Sequence, residues 1–130
     1  MKSALVCVGD AGINGLATMR ALGRRGIPVD VVALESSAQI ASVSRYCRRF
    51  IRVRDMASLP QILLGLEPAI LYVDTDPMLK ALAPHAAELA QRFALADPLD
   101  RALELTDKGW QMRIARKAGI AVPKSWYPPS

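Results

Sequence analysis

The feature that most constrains this sequence is the alternation of short apolar runs with segments of helical pattern. Several runs have the length and the β-branched content of strands that are buried on both faces. Such alternation is typical of βαβ units, which build a parallel sheet. We therefore predict an α/β fold with an open, doubly wound parallel sheet of four to five strands and helices on both faces. The predicted strands are Leu5 to Val8, Val29 to Leu34, Phe50 to Val53, Ala69 to Val73 and Phe93 to Leu95.

Length and composition favour one folded domain. The chain has 130 residues, of which 52% are hydrophobic and only 22% are charged, so it can bury a core and does not resemble a disordered chain. No apolar run approaches the roughly 18 to 20 residues of a membrane-spanning helix, and the stretch from Ala4 to Val8 is too short for a signal peptide. Cys7 and Cys47 show no metal-ligand spacing, so we expect a reduced, cytoplasmic protein.

A glycine-rich loop follows the first predicted strand and precedes the first predicted helix. Glycines at this position let backbone N–H groups approach an anion at the helix N-terminus. The spacing is GxxGxxG, however, and not the GxGxxG of dinucleotide-binding folds, so the glycines could equally serve a tight turn and close helix packing. The candidate residues of this loop are Gly9, Asp10, Gly12, Asn14 and Gly15, and Asn14 is expected to cap the helix.

Acidic residues follow the second and fourth predicted strands, at the sheet edge where open α/β folds bind ligands. Glu35 lies twenty residues after Gly15, where NAD-binding folds place an acid that contacts ribose, although an acid there could also cap a helix or face solvent. An NAD(P)-binding domain of an oxidoreductase is therefore the alternative function. Asp74 and Asp76 could orient an amine or a hydroxyl group, or Asp76 could simply cap a helix that begins at Pro77.

Basic residues outnumber acidic ones, 17 to 12, which favours anionic partners. Five arginines surround the third predicted strand and place it near an edge of the sheet, where charge deters aggregation. Aromatic residues are only 5% of the chain, so platforms for stacking nucleic-acid bases are few and a nucleic-acid partner is not expected. His85 is the only histidine, which excludes a catalytic triad or a histidine-rich metal site within this chain. The five arginines are Arg45, Arg48, Arg49, Arg52 and Arg54.

The chain changes character after Asp97, where no further pair of strands is predicted. A helix is predicted from about Asp107 to Ala118, and Lys108 lies in its first turn. A cation there opposes the helix dipole, which indicates an anionic ligand for it, and an ordinary solvated lysine is the alternative. Trp126 and Tyr127 are large aromatic residues beside prolines at the end of the chain, and they suggest a fragment of a longer protein.

Five segments of the chain occur in an order that resembles one family. They are the strand and loop from Leu5 to Gly15, the turn Gly26-Ile27-Pro28-Val29, Ser44-Arg45-Tyr46, Asp76, and the block from Asp107-Lys108 to Gly119-Ile120-Ala121-Val122-Pro123. This order resembles the N-terminal portion of ATP-grasp ligases, with the closest likeness to the carbamoyl-phosphate-synthase-like and carboxylate-amine ligase branch. The resemblance covers essentially the whole chain.

The resemblance implies a Rossmann-like pre-ATP-grasp domain over residues 1–97 and the truncated start of an ATP-grasp subdomain over residues 98–130. A full-length enzyme of this kind uses ATP and Mg²⁺ to phosphorylate a carboxylate, and an amine then attacks the acyl phosphate. Lys108 matches a lysine that contacts the nucleotide, while the glycine loop and Asp76 match the side that faces the substrate.

The same resemblance places most of the active site beyond Ser130, including the metal ligands and the rest of the ATP-grasp domain. The chain alone is therefore expected neither to be catalytic nor to bind a cofactor tightly. The implied partners are the small-molecule carboxylate and amine substrates and the C-terminal ATP-grasp domain. A homodimer is left open, and no membrane partner is implied.

Overall fold

A computed structural model describes residues 5–9, 12–37, 39–96 and 98–126 of the chain. Its strands form one parallel sheet in the order β3-β2-β1-β4-β5. The strands are β1 (Leu5–Val8), β2 (Val29–Leu34), β3 (Cys47–Val53), β4 (Ile70–Val73) and β5 (Ala94–Leu95). Because β1 lies between β2 and β4, the strand order reverses at β1, and the carboxyl ends of β1 and β4 meet at that point.

Helices connect the strands and follow the last one. They are α1 (Ile13–Gly23), α2 (Leu59–Leu64), α3 (Asp76–Leu82), α4 (Ala86–Arg92), α5 (Ala102–Leu105) and α6 (Lys108–Lys117). Short 3₁₀ turns cover Ile40–Val43, Ala83–His85 and Leu99–Arg101. Within the described residues, none of these helices has the length and apolar character needed to cross a membrane.

The core is divided between the two faces of the sheet, because strand side chains alternate in direction. On one face, Val29, Val31 and Ala33 of β2 pack with Met19 of α1 and with Ala41. The other face carries the larger cluster, which joins β2, β3 and β4 to the helices that follow them. Its buried members are Val32, Val53, Leu59, Leu63, Leu71, Val73, Met78, Leu82, Leu89, Phe93 and Leu99.

The prediction of an open, doubly wound parallel sheet of four to five strands with helices on both faces is wrong in its extent, because the parallel ladders of β1 and β5 are short and the two faces are unequally covered. β1 pairs with β2 and with β4 over four residues each, and β5 contributes only two residue pairs. Pro98 follows closely after β5 and cannot donate a ladder hydrogen bond. Among the described residues, one face has α1 and a 3₁₀ turn in its buried core, whereas residues of α2, α3 and α4 pack on the other.

β3 is an edge strand, as the arginines around it predicted. It begins at Cys47, three residues before its predicted start at Phe50. Arg48, Arg49 and Arg52 are exposed along it, and Val53 is buried at its end. Charged side chains on an exposed edge hinder pairing with another chain, so the basic character of β3 has a structural function of its own.

A buried carboxylate at the start of the β2–β3 ladder binds two consecutive arginines. Asp30 of β2 is fully buried, and Arg48 donates to it from Nε and Nη2, both at 2.7 Å. Arg49 donates to Oδ2 from Nε at 3.1 Å and from Nη2 at 2.6 Å. Val29 pairs with Cys47 but Asp30 pairs with Arg49, so Arg48 is an extra residue in the ladder. This β-bulge directs both guanidinium groups to one carboxylate.

The Asp30 carboxylate should make the protein sensitive to acid. Burial raises the pKa of this group, but hydrogen bonds and charges from Arg48 and Arg49 outweigh burial, so the pKa lies below its ordinary value. Its contribution to the free energy of unfolding is therefore complete above the unfolded-state pKa and is lost as the pH falls through the folded-state pKa. We expect urea denaturation to show falling stability below about pH 4.

The variant Asp30→Asn tests this assignment. Although less stable than the wild type, it should show a weaker dependence of stability on pH in the acid range, because the titrating group has gone. Asp55→Asn is the matched control, since Asp55 also has a lowered pKa, caused first by its hydrogen bond with Ser58, but lies on the surface. Equal acid slopes in the wild type and Asp30→Asn would contradict the assignment.

Candidate functional site

The candidate site lies where β1 and β4 end side by side. Gly9 follows β1 directly, and its N–H donates to the carbonyl oxygen of Val32 at 3.2 Å, which ties the loop to β2. Gly12 precedes α1 and Gly15 lies in its first turn, and all three glycines are buried. In open α/β sheets, ligands bind at this edge, at the point where the strand order reverses.

The side chain of Asp74, which follows β4, fills the space beside the glycine loop. A Cβ atom at Gly9 would lie 1.8 Å from Oδ1 and 2.3 Å from Cγ of Asp74. A Cβ atom at Gly15 would lie 3.3 Å from Oδ2 of the same side chain. Both carboxylate oxygens are shielded from solvent. The missing side chain at Gly9 is thus what allows Asp74 to approach the loop.

This packing gives the glycine loop a structural role. The N-terminus of α1 carries partial positive charge, and a carboxylate against Gly15 in the first turn is well placed to interact with it. The carboxylate therefore lies close to where a bound anion would lie in a phosphate-binding loop. A phosphate group at this position would compete with the Asp74 side chain for the same space. The loop holds Asp74 and differs in this respect from an open phosphate cradle.

The remaining residues predicted for the loop are Gly12, Asn14 and Asp10. Gly12 occupies the N-cap position of α1, and its carbonyl oxygen accepts from the N–H of Leu16 at 3.0 Å. Asn14 lies within the first turn and is exposed, so the prediction that it caps the helix is wrong. The reason is that the helix begins at Ile13, one residue before Asn14. Asp10 lies outside the described residues.

Asp76 is the first residue of α3 and is exposed. The N-cap position belongs to Thr75, so the alternative in which Asp76 caps the helix is wrong. A carboxylate in the first turn still interacts favourably with the helix dipole, which explains an acid there without a ligand. Of the two acids after β4, Asp74 is the one that contacts the glycine loop. The sequence indicated both acids as candidates, and the resemblance placed Asp76 at the site.

Glu35 lies in the turn after β2 and is exposed. Its N–H donates to the carbonyl oxygen of Val53 at 2.9 Å, and its carbonyl oxygen accepts from Nε2 of Gln39 at 3.2 Å. These bonds hold the turn against β3 and leave the carboxylate at the surface. Glu35 therefore lies at the correct edge of the sheet for a ribose contact, but the adjoining glycine loop is occupied by Asp74.

Lys108 is the first residue of α6, as predicted, and is exposed. Asp107 caps this helix, since its Oδ1 accepts from the N–H groups of Gly109 at 2.8 Å and Trp110 at 3.2 Å. Within the described ranges, the Lys108 ammonium group forms no ion pair. Asp107 satisfies the N–H donors of the helix N-terminus, which a lysine cannot do because its ammonium group has no acceptor. Its contact with a nucleotide stays a prediction.

The cap can be tested by Asp107→Ala, which should destabilise the start of α6 by about 1 kcal/mol. The amide protons of Gly109 and Trp110 would lose their acceptor, and hydrogen exchange should show their protection fall. Asp100→Ala is the control, because Asp100 lies in the preceding 3₁₀ turn and its side chain caps nothing. Unchanged protection in Asp107→Ala would mean that the carboxylate does not cap α6 in solution.

The segment after residue 97 is partly packed on the preceding unit. Leu99 is 1% exposed and belongs to the larger core cluster, and Ala102 is 3% exposed. In α6, by contrast, Gly109 is the buried residue. The division into residues 1–97 and 98–130 stays a prediction. The packing shows in addition that the first turns after residue 97 lie against the sheet.

No cluster of three or more metal-ligating side chains occurs among the described residues. His85 is partly exposed, and its Nδ1 lies 4.0 Å from Oε2 of Glu88, which is an ordinary surface arrangement.

Comparison with known proteins leaves the geometry as the main guide to function. The sequence matches no protein-family model and none of the curated proteins.

Proposed function

We propose that this chain is the N-terminal domain of an ATP-dependent ligase that joins a carboxylate to an amine through an acyl phosphate. The observation that carries the proposal is the contact of the Asp74 carboxylate with Gly9 and Gly15, where β1 and β4 end. Although both of its oxygens are shielded in this structure, a carboxylate at this position favours a nearby substrate group that carries positive charge, such as an amine. It disfavours the pyrophosphate of a dinucleotide.

Lys108 gives the proposal its second support. Its ammonium group lies at the surface, at the start of a helix whose N-terminus is already capped. An exposed cation of this kind can bind a phosphate group of ATP and offset its negative charge. The exposed apolar side chains of Ile114, Ile120 and Trp126 lie on and after the same helix, which suits a region covered by a further domain.

In the proposed reaction, ATP supplies the phosphoryl group that turns the carboxylate into an acyl phosphate, and phosphate leaves when the amine attacks. The residues of this chain bind and orient. Asp74 would position the substrate at the end of the sheet, and Lys108 would hold the nucleotide. The metal-dependent part of the chemistry belongs to residues outside the described chain.

An NAD(P)-binding domain is the second candidate. It is favoured by the exposed Glu35 at the end of β2, beside β1, because ribose-binding acids occupy this position. A bound pyrophosphate at the N-terminus of α1 would have to displace the buried Asp74 carboxylate. We therefore rank this function below the ligase.

Transfer of ¹⁸O from the carboxylate to phosphate distinguishes the ligase from the NAD(P)-binding domain. The full gene product is incubated with ATP, Mg²⁺, an amine pool and pools of ¹⁸O-labelled carboxylic acids. The proposal expects ¹⁸O in the released inorganic phosphate, because one carboxylate oxygen leaves with the phosphate. No carboxylate-dependent release, together with saturable NADH binding that Glu35→Ala abolishes, would replace the ligase by the second candidate.

Lys108→Met tests the role of the lysine in the same assay. Loss of one charge-assisted contact should raise the KM for ATP about tenfold. Lys117→Met is the matched control, because Lys117 is an exposed lysine at the other end of α6. Equal effects of the two variants would remove Lys108 from the nucleotide site.

A further inference from the structure

A second charged cluster lies at the opposite edge of the sheet from the candidate site. Asp30 is the second residue of β2, so it lies near the amino ends of the strands. One arginine would balance its charge, yet both Arg48 and Arg49 bind it, which leaves a net positive charge. The two arginine side chains are 43% and 48% exposed, whereas that of Asp30 is 1% exposed. A ligand can therefore reach the guanidinium groups but not the carboxylate.

The hydrogen bonds to Asp30 use the same side of each guanidinium group. Arg48 and Arg49 both donate from Nε and Nη2. An arginine has five N–H donors, so each side chain retains both donors on Nη1 and one on Nη2. One donor on Nη1 and the remaining donor on Nη2 point outward from the end of the side chain. We call this pair the end-on fork, and it can bind an oxyanion in a bidentate manner. Because both Nη2 atoms contact the same oxygen of Asp30, the two Nη2 atoms are close enough to each other for one phosphate group to contact both.

The bulge in β3 indicates that this arrangement is more than charge compensation. In a regular strand, consecutive side chains point to opposite faces, so only one of two neighbouring arginines would reach Asp30. Arg49, the register partner of Asp30, would suffice to balance its charge. The extra residue in the ladder directs Arg48 to the same carboxylate. A bulge disrupts a ladder, and here its result is two fixed, half-exposed guanidinium groups side by side.

We propose that Arg48 and Arg49 form a binding site for a terminal phosphate group, with Asp30 as the buried residue that positions them. Two end-on forks offer up to four hydrogen bonds, which the unesterified oxygens of a phosphate group can accept together: a phosphate monoester has three such oxygens and orthophosphate has four. A phosphodiester has two such oxygens, so a nucleic-acid backbone is a poorer match. Asp30 holds the side chains in place before the ligand binds, which lowers the entropic penalty of binding.

Titration followed by NMR tests the proposal on the wild-type chain. Inorganic phosphate and ribose 5-phosphate are added separately, and the arginine Nε–H signals are recorded against sodium chloride of equal ionic strength. The Arg48 and Arg49 signals should shift and saturate, with a Kd of about 1 mM or lower for at least one of the two ligands. If ribose 5-phosphate binds more tightly than inorganic phosphate, the site is assigned to a phosphate monoester; the reverse order assigns it to free phosphate.

Lysine variants locate the site. Arg48→Lys and Arg49→Lys keep the charge and an ion pair with Asp30 but remove the fork, so each should weaken binding about tenfold. Arg52→Lys is the control on the same strand and should change nothing. Thermal denaturation establishes that each variant is folded.

Three results would overturn the proposal. Shifts that sodium chloride reproduces would mean simple screening of charge. A linear, unsaturated response of the wild type to both phosphate ligands would mean that the arginines only balance Asp30. Equal or tighter binding of a duplex oligonucleotide without terminal phosphates would assign the surface to phosphodiesters.

Discussion

Replacing Arg48 and Arg49 together by alanine is expected to lower the free energy of unfolding by about 3 to 5 kcal/mol. The reason is that Asp30 is fully buried and would be left with neither of the arginines that hold it in the ionised form. A buried carboxylate without a partner must either stay charged in a poor environment or take up a proton. Urea denaturation at pH 7 measures the loss.

The single variants should lose much less, about 1 kcal/mol each, because the remaining arginine still pairs with Asp30. The two replacements are therefore strongly non-additive. Half of each arginine side chain faces solvent, which weakens either pair taken alone. Arg52→Ala/Arg54→Ala is the matched control, since it removes the same charge from exposed positions and should change stability by no more than about 1 kcal/mol.

A triple variant that adds Asp30→Val should restore much of the lost stability. Replacing a buried ion pair by an apolar side chain of similar volume is often neutral or stabilising, whereas removing only one partner is strongly destabilising. If the double arginine variant were as stable as its control, Asp30 would have to be neutral or hydrated in the folded protein. That result would also remove the basis for the phosphate site.

The positions of the strands could be predicted because their signal is local. An unbroken apolar run predicts β2, and arginines on both sides of β3 predict an edge position, since charge is tolerated there. The sequence also contained a visible signal for the buried carboxylate. Asp30 is the one charged residue in the run VDVVAL, and a buried charge needs a partner. Which arginines provide it depends on the register, including the bulge, and this follows from long-range packing.

The candidate site shows the same division between local and long-range information. The glycine loop after β1 and the acids after β4 could be placed at one edge of a parallel sheet from their order alone. The choice between Asp74 and Asp76 could not be made, because it depends on how closely β4 approaches the loop after β1. The cap of α1 was missed for a local reason. Asn14 has the better capping side chain, but the helix begins one residue before it and leaves Gly12 at the N-cap.

Gly9→Ala is the second replacement with a large expected effect, about 3 kcal/mol of lost stability. The new methyl group would lie 1.8 Å from Oδ1 of Asp74, so either the side chain or the loop must move. Gly26 and Gly119 are the glycines of the described ranges that have a positive φ, so at Gly9 the effect is steric and not a matter of backbone strain. Thermal and urea denaturation measure the loss of stability of the Gly9→Ala variant.

A double-mutant cycle with Asp74→Ala separates this clash from other effects. The three atoms nearest to a Cβ at Gly9 all belong to the Asp74 carboxyl group, and Asp74→Ala removes them. The double variant should therefore be more stable than the sum of the single effects predicts, by about 1 to 3 kcal/mol. Gly65→Ala is the control, because its Cβ would lie 3.4 Å from the nearest atom, which is ordinary contact.

The cycle also bears on the proposed function. If Asp74 is held by the loop to position a substrate, Gly9→Ala should displace it and lower the activity of the full-length enzyme, even under conditions where the variant is folded. Gly15→Ala should act in the same direction but more weakly, since its Cβ would lie 3.3 Å from Oδ2 and a small shift could accommodate it. A cycle without coupling energy would mean that Asp74 does not lie against the loop in solution, and the ligase proposal would lose the observation that carries it.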